Sequence, residues 1–150
     1  LANNGEVPLQ LSQHLRTQTR NYVDIAEVEL LNTAGSAEAE ADLIALSDGE
    51  LITAEAKRPG TLGTGRELAR CAAKRTTFAE VLQADQIVIA TAAPEFDNAS
   101  VQALCKAVRD KPWRAVRPRV RVITGLGTDH TTDQEADPLT GGLTPWPKRA

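Results

Sequence analysis

The hydrophobic and polar positions predict alternating helices and strands along most of the chain. Leucines that follow Pro8 indicate a first helix that ends near Tyr22, with the proline at an early helical position. A strand is predicted over 23–31, and helical spacing of apolar residues predicts helices over 66–84 and after Asp97 or Asn98, either of which can cap the second of these helices. Short apolar runs at 86–93 and 119–124 predict two further strands.

Between the first strand and the helix over 66–84, two apolar-rich runs at 39–46 and 50–57 flank an Asp-Gly pair, which is a strong signal for a β-hairpin. If Asp48 and Gly49 form a two-residue turn, the pairing places Asp42 opposite Glu55 and Glu40 opposite Lys57. Side chains opposed in this way have Cβ atoms roughly 4.5–5.5 Å apart. Glu55 and Lys57 point to the same face because strand side chains alternate.

The predicted element order is therefore α-β-β-β-α-β-α-β. The first three strands would form an antiparallel meander, and the helix between the third and fourth strands is long enough for a crossover that makes those two strands parallel. These elements predict an α/β domain over residues 1–124 with a mixed central sheet and helices on both faces. Residues 125–150 are rich in Gly, Pro and Thr and are expected to form a loosely held C-terminal tail.

Composition narrows the class of protein. The chain has 150 residues, 41 % hydrophobic and 25 % charged, which is typical of one globular domain. No apolar run approaches the roughly 18 residues of a membrane span, and no signal peptide is recognised, so we expect no membrane association. Two cysteines, Cys71 and Cys105, lie in predicted helices and are expected to be buried thiols, which favours a cytoplasmic protein. The chain begins with Leu1 and contains no Met, which indicates a piece of a longer protein.

The distribution of charge is more informative than the net value of −3. Residues 1–56 contain two basic and ten acidic side chains, whereas residues 57–121 contain thirteen basic and six acidic ones. An acidic block that could hold cations is thus followed by a basic block that could hold phosphates. The alternative is that both blocks are solvated faces.

The pairing of Asp42 with Glu55 calls for a chemical explanation, because two facing carboxylates repel each other. A divalent cation reverses the sign: Mg²⁺ accepts carboxylate oxygens and keeps waters that a phosphate can replace. Lys57, two residues along the same strand, could hold and help deprotonate an attacking water. The alternative is a salt bridge in which Lys57 neutralises Asp42 and Glu55 on a solvent-exposed face.

These residues resemble the motif of the PD-(D/E)XK nuclease superfamily, which includes many restriction endonucleases and archaeal Holliday-junction resolvases. The matching stretch runs from Glu40-Ala-Asp42 through the turn to Glu55-Ala-Lys57, with Ala41 at the position of the motif's proline. The resemblance implies a restriction-endonuclease-like three-layer fold. It also implies that Asp42 and Glu55 ligate Mg²⁺, for which Mn²⁺ can substitute, and that Lys57 positions water. Some members add an acidic residue from the first helix or strand, and here the candidates are Glu27 and Glu29.

Basic residues after the motif are candidates for contacts with DNA phosphates. Arg66, Arg70 and Lys74 recur at i, i+4 and i+8 on one face of the predicted helix, Arg75 adds a further charge, and Arg58 directly follows Lys57. Lysine and arginine that neutralise phosphates provide most of the affinity for a nucleic-acid backbone. A solvated helix face is the alternative.

We therefore expect a metal-dependent nuclease domain that hydrolyses DNA phosphodiester bonds, with DNA and either a second copy or other domains of a longer chain as partners. The alternative is a catalytically inactive domain of the same fold that binds nucleic acid or protein. A third interpretation is a nucleotide-binding α/β domain, because Gly60, Gly63 and Gly65 follow a strand, although the full phosphate-loop and dinucleotide fingerprints are missing.

Overall fold

Three helices and seven strands make up the part of the chain that the structure describes. The computed structural model covers the backbone of residues 2–147 and the side chains of residues 6–147. The elements are α1 (Ala2–Thr17), β1 (Tyr22–Leu31), β2 (Ala37–Ser47), β3 (Glu50–Lys57), α2 (Gly65–Leu82), β4 (Gln86–Thr91), α3 (Asn98–Asp110), β5 (Arg119–Thr124), β6 (Thr132–Ala136) and β7 (Leu143–Pro145). The predicted order of eight elements is confirmed, and two strands follow it.

All seven strands belong to one mixed sheet, in which their order is the order along the chain. Strands β1, β2 and β3 form the predicted antiparallel meander. Strands β3, β4 and β5 are parallel, as expected for connections that run through α2 and α3. Strands β6 and β7 return to antiparallel pairing. The α/β class is thus confirmed.

Helices cover both faces of the sheet. One core cluster joins α1 to Val88 and Ala90 of β4, and another joins α2 and α3 to Ile87 and Ile89. These four residues alternate along β4, so the two clusters lie on opposite faces. All six residues of β4 are buried, which explains its continuous apolar run. Within residues 2–147, none of the helices is both long enough and apolar enough to cross a membrane.

The hairpin between β2 and β3 has the predicted turn. Asp48 and Gly49 both have positive φ, 49° and 85°, as a type I′ turn requires at its two central positions. The paired residues run from Ser47 with Glu50 to Leu43 with Ala54, which is the predicted register. The Asp48 carboxylate also accepts hydrogen bonds from the backbone N–H groups of Arg20 and Asn21, so the turn is tied to the connection between α1 and β1.

Two expectations about the ends of the chain are wrong. Helix α1 begins at Ala2 and ends at Thr17, so Pro8 lies inside it and Tyr22 belongs to β1. The expected loosely held tail contains β6 and β7, which extend the sheet beyond β5. Strand β6 is held by cross-strand ion pairs, Arg121 with Asp133 and Arg119 with Glu135, and these have no hydrophobic signature in the sequence. Residues 148–150 of that segment lie outside the described residues.

A close backbone approach explains the first glycine after β3. A Cβ placed on Gly60 would lie 2.0 Å from the carbonyl oxygen of Glu95, a distance that no side chain tolerates. The backbone N–H of Asp97, the N-cap of α3, donates to the Gly60 carbonyl at 2.7 Å. Glycine at this position therefore lets the loop after β3 pack against the start of α3.

Candidate active site

Strand β2 separates from β3 at Asp42. Counted from the turn, the last paired residues of the two strands are Leu43 and Ala54, directly before Asp42. A side-chain hydrogen bond replaces the next backbone contact: the N–H of Ala56 donates to Oδ2 of Asp42 at 2.8 Å. The buried residues of β2 also change partners here, because Ala41 packs with Phe78 of α2 whereas Leu43 belongs to the cluster that contains α1. Asp42 is thus fixed to the backbone between Glu55 and Lys57.

Glu55 lies on the α2 side of β3 and is 9 % exposed. Its Oε2 lies 2.7 Å from Nη1 of Arg75, and its Oε1 lies 3.5 Å from Nζ of Lys57. Burial raises the pKa of the Glu55 carboxyl, and this effect outweighs the positive charge of Arg75 that lowers the pKa. The negative charge of Asp42 raises the pKa further. An ionised Glu55 is therefore costly, and added positive charge beside it would stabilise it.

The expected cross-strand pair of Glu40 with Lys57 does not form in the ladder. Glu40 lies opposite Glu29 of β1, whereas Lys57 pairs with Thr91 of β4. The side chain of Lys57 is 41 % exposed and is directed towards Glu55. Lys57 thus joins the site from the open side.

Arg75 belongs to this site rather than to the exposed face of α2 on which it was expected to contact DNA. It is 2 % exposed, and its Nη2 donates to the backbone carbonyl of Glu40. The signal was present in the sequence, since Leu68, Ala72, Arg75 and Ala79 recur at the spacing of one helix face. A charge on that apolar stripe predicts an inward-pointing arginine with a buried carboxylate partner.

The other basic candidates are exposed. Arg66, Arg70 and Lys74 lie on the solvent-facing side of α2. Arg58 follows β3 and forms an exposed ion pair with Glu6, with Nη2 and Oε2 at 3.1 Å. An exposed pair of this kind is worth little in stability, so its arginine can exchange partners readily.

Among the side chains of residues 6–147, no third acidic ligand joins Asp42 and Glu55 in a group that could hold a metal ion. Glu27 and Glu29 are both exposed on β1. Glu27 has a φ of 55° and lies where the β1–β2 pairing skips a residue, across from Asp42. Among the described residues, no group of three or more His, Cys, Asp or Glu side chains is arranged to hold a metal ion.

Two carboxylates nevertheless suit the metal that the sequence implied. Magnesium is usually held by one or two carboxylates and keeps several waters. Asp42 uses Oδ2 for the Ala56 N–H, which leaves Oδ1, and Glu55 offers Oε1, where the contact with Lys57 is long. The donor set is all oxygen, as Mg²⁺ and Mn²⁺ prefer. The residues present therefore fit a hydrated divalent cation.

Cys71 lies one helical turn before Arg75 and is half-buried. Burial raises the pKa of its thiol, and the charge of Glu55 adds to the rise. Both cysteines are free thiols, as expected, and Cys105 is fully buried. The raised pKa of Cys71 disfavours its thiolate form.

The opposite edge of the sheet holds a pocket of about 520 Å³. Its wall includes Glu50, Gln86 and Arg119, the first residues of the three parallel strands. Lys57 is the last residue of β3, so the pocket and the candidate site lie at opposite ends of these strands. The guanidinium of Arg119 lies 4.1 Å from the ring centre of Trp146, and that of Arg121 lies 4.5 Å from it. Carboxylates already pair with both arginines, so the described residues of the pocket wall offer no unneutralised cation for a phosphate.

Comparisons with protein-family models, with curated proteins and with solved structures found no match. No relative therefore assigns a role to Asp42, Glu55 or Lys57.

Proposed function

We propose that this chain is a metal-dependent nuclease domain with a restriction-endonuclease-like fold that hydrolyses DNA phosphodiester bonds. One observation carries the proposal: the N–H of Ala56, between Glu55 and Lys57, fixes the Asp42 carboxylate at the point where β2 leaves β3. The three groups of the suspected motif are thereby held at one end of one hairpin. The mixed sheet with helices on both faces agrees with the fold that the motif implies.

The chemistry assigns each side chain a separate task. Asp42 and Glu55 would hold Mg²⁺, or Mn²⁺ in its place, which polarises a phosphate and makes water more acidic when bound. Lys57, more exposed than Glu55, would orient the attacking water by hydrogen bonding to it. The exposed cations Arg58, Arg66, Arg70 and Lys74 would contact the DNA backbone, and such contacts fix position without reading sequence.

Cleavage of plasmid and branched DNA in Mg²⁺ or Mn²⁺ tests the proposal. Asp42→Asn keeps an oxygen for the Ala56 N–H but removes the charge, and we expect it to abolish metal-dependent cleavage. Lys57→Met is expected to slow cleavage by about 10²–10⁴-fold, the usual contribution of a group that moves or holds a proton. Glu38→Gln, an exposed acid on the same strand β2, is the matched control and should cleave like the wild type. Equal cleavage by the wild type and both site variants would contradict the proposal.

A second function is favoured by the same ion pairs. Glu55 already has Arg75 and Lys57 as partners, and such a network can persist in a domain that binds nucleic acid or protein without cleaving it. In that case the purified wild type would bind DNA with an affinity that does not depend on Mg²⁺ and would leave every substrate intact.

A further inference from the structure

The guanidinium of Arg75 is buried against the candidate metal ligand Glu55. Its Nη1 lies 2.7 Å from Oε2 of Glu55, yet this N–H is not directed along a good hydrogen bond. Its Nη2 donates to the Glu40 carbonyl, and its Nε has no partner among the side chains and backbone that the structure describes. The contact with Glu55 is therefore a buried ion pair without the two-point geometry that makes arginine–carboxylate pairs strong.

The four charges of the site balance before any metal is added. Counted as formal charges, Asp42 and Glu55 contribute two negative charges, and Lys57 and Arg75 contribute two positive ones. The Asp42 carboxylate accepts a hydrogen bond from a neutral backbone N–H. The Glu55 carboxylate, in contrast, contacts the positively charged guanidinium of Arg75. A buried pair stabilises a protein only when its geometry repays desolvation, and this pair lacks that geometry.

We propose that Arg75 is a built-in competitor of the divalent cation at Glu55: its positive charge at Oε2 weakens the binding of a metal to the same carboxylate, and metal binding in turn loosens the contact of the guanidinium with Glu55. This inference rests on the proposed function, because it takes Asp42 and Glu55 as the metal ligands. A dication carries twice the charge of the guanidinium and can bind beside it, but its affinity is reduced by the repulsion between the two positive charges. The hydrogen bond to the Glu40 carbonyl keeps the arginine beside the site.

Titration with Mn²⁺ in the absence of DNA, followed by electron paramagnetic resonance of the free ion, tests the competition. Arg75→Gln removes the competing charge and keeps a donor for the Glu40 carbonyl. We expect it to bind Mn²⁺ about tenfold more tightly than the wild type, because a nearby positive charge has been removed from a poorly solvated site. Arg75→Lys keeps the charge and should bind Mn²⁺ nearly as the wild type does. Asp42→Asn should remove the binding in every background.

The outcomes separate this inference from the proposed function. If folded Arg75→Gln binds Mn²⁺ no more tightly than the wild type, and Asp42→Asn abolishes binding in both, the competition is overturned and the nuclease proposal stands. If no variant shows binding that depends on Asp42, both are overturned.

A second measurement covers the case in which Arg75→Gln does not fold. The ¹⁵Nε resonance of Arg75 in the wild type, assigned by its loss in Arg75→Lys, should shift when Mg²⁺ is added and should not shift in Asp42→Asn. A resonance unmoved at saturating Mg²⁺ overturns the competition.

Discussion

At the scale of single residues, the structure explains why an aspartate stands at position 42. Once β2 turns away from β3, the N–H of Ala56 loses the backbone acceptor that a continued ladder would provide. A backbone donor must find another partner when it is buried, and Oδ2 of Asp42 takes that place. One carboxylate thus completes the hairpin and offers its second oxygen to the site.

Because Asp42 has these two roles, two substitutions at this position are expected to differ in their free energy of unfolding. Asp42→Asn retains an acceptor oxygen, so its free energy of unfolding should stay close to that of the wild type. Asp42→Ala leaves the Ala56 N–H unsatisfied and should lower the free energy of unfolding by about 1–3 kcal/mol. Urea denaturation of both variants measures the difference. Equal stability of the two variants would show that this hydrogen bond contributes nothing.

A second prediction at the scale of single residues concerns the carboxyl group of Asp133. Burial of its carboxyl opposes ionisation, but the hydrogen bonds from Arg121 and His14 outweigh burial and hold the pKa of Asp133 below its ordinary value of 3.8. A lowered pKa in the folded state means that the charge of Asp133 stabilises the fold above pH 3.8, and that this stabilisation is lost as the pH falls through the lower, folded-state value.

We therefore expect Asp133→Asn to be less stable than the wild type at neutral pH, by about 1.5–3 kcal/mol for a hydrogen bond to a charged group. The gap in urea midpoint should narrow as the pH falls below 3.8. Glu135→Gln, in the more exposed pair with Arg119, is the control and should show a smaller gap at neutral pH. A gap for Asp133→Asn that stays constant with pH would contradict this assignment.

At the scale of elements, α2 presents two chemically different faces. Its buried face carries Arg75 to Glu55, and its exposed face carries Arg66, Arg70 and Lys74. Helical periodicity alone separates these two faces. Because Arg75 directly follows Lys74, however, it was expected to be among the residues that contact DNA. The helix thereby connects the candidate metal ligands to a positively charged outer surface.

Charge reversal on that outer face tests its interaction with DNA. The double variant Arg66→Glu and Arg70→Glu should weaken DNA binding and reduce the dependence of log affinity on log salt by about 0.9 for each phosphate that the protein no longer neutralises. Lys106→Glu with Arg109→Glu on α3 is a control of equal charge, at residues that already pair with Asp110. Fluorescence anisotropy over a range of salt concentrations measures both. Equal weakening in the two double variants would show that α2 has no special part in binding.

At the scale of the whole molecule, the sheet continues to the C-terminal segment. Strand β6 covers the edge of β5, and its Asp133 pairs with Arg121, which is 4 % exposed. Arg121 also contacts Gln86 of β4 and Gln18, which directly follows α1. The stability of the fold is thus expected to depend on the segment after Gly125.

Truncation tests this dependence. A chain that ends at His130 loses β6 and leaves Arg121 buried without its carboxylate, which should cost about 3–5 kcal/mol or prevent folding. A chain that ends at Ala136 retains β6 and should lose less. Circular dichroism during urea denaturation compares both with the full chain. A fragment of residues 1–130 as stable as the full chain would contradict the structural role of β6.

Much of the fold could be predicted because its signals are local. The Asp48-Gly49 turn determined the register of β2 and β3, and periodicity determined the order of elements through β5. Two short polar strands could not be predicted in this way. Strand β6 is held by ion pairs with β5, and these depend on which residues the fold brings close together across the two strands.

The sequence by itself determined that an aspartate and a Glu-x-Lys motif flank one tight hairpin, since turn geometry and strand alternation act over a few residues. Only the tertiary structure decided that β2 leaves β3 at Asp42, and that Arg75 is buried against Glu55. Both depend on packing between segments far apart in the chain, as when Arg75 reaches the carbonyl of Glu40, 35 residues away. The charge that surrounds a buried carboxylate is therefore a property of the assembled layers, which no short stretch of sequence contains.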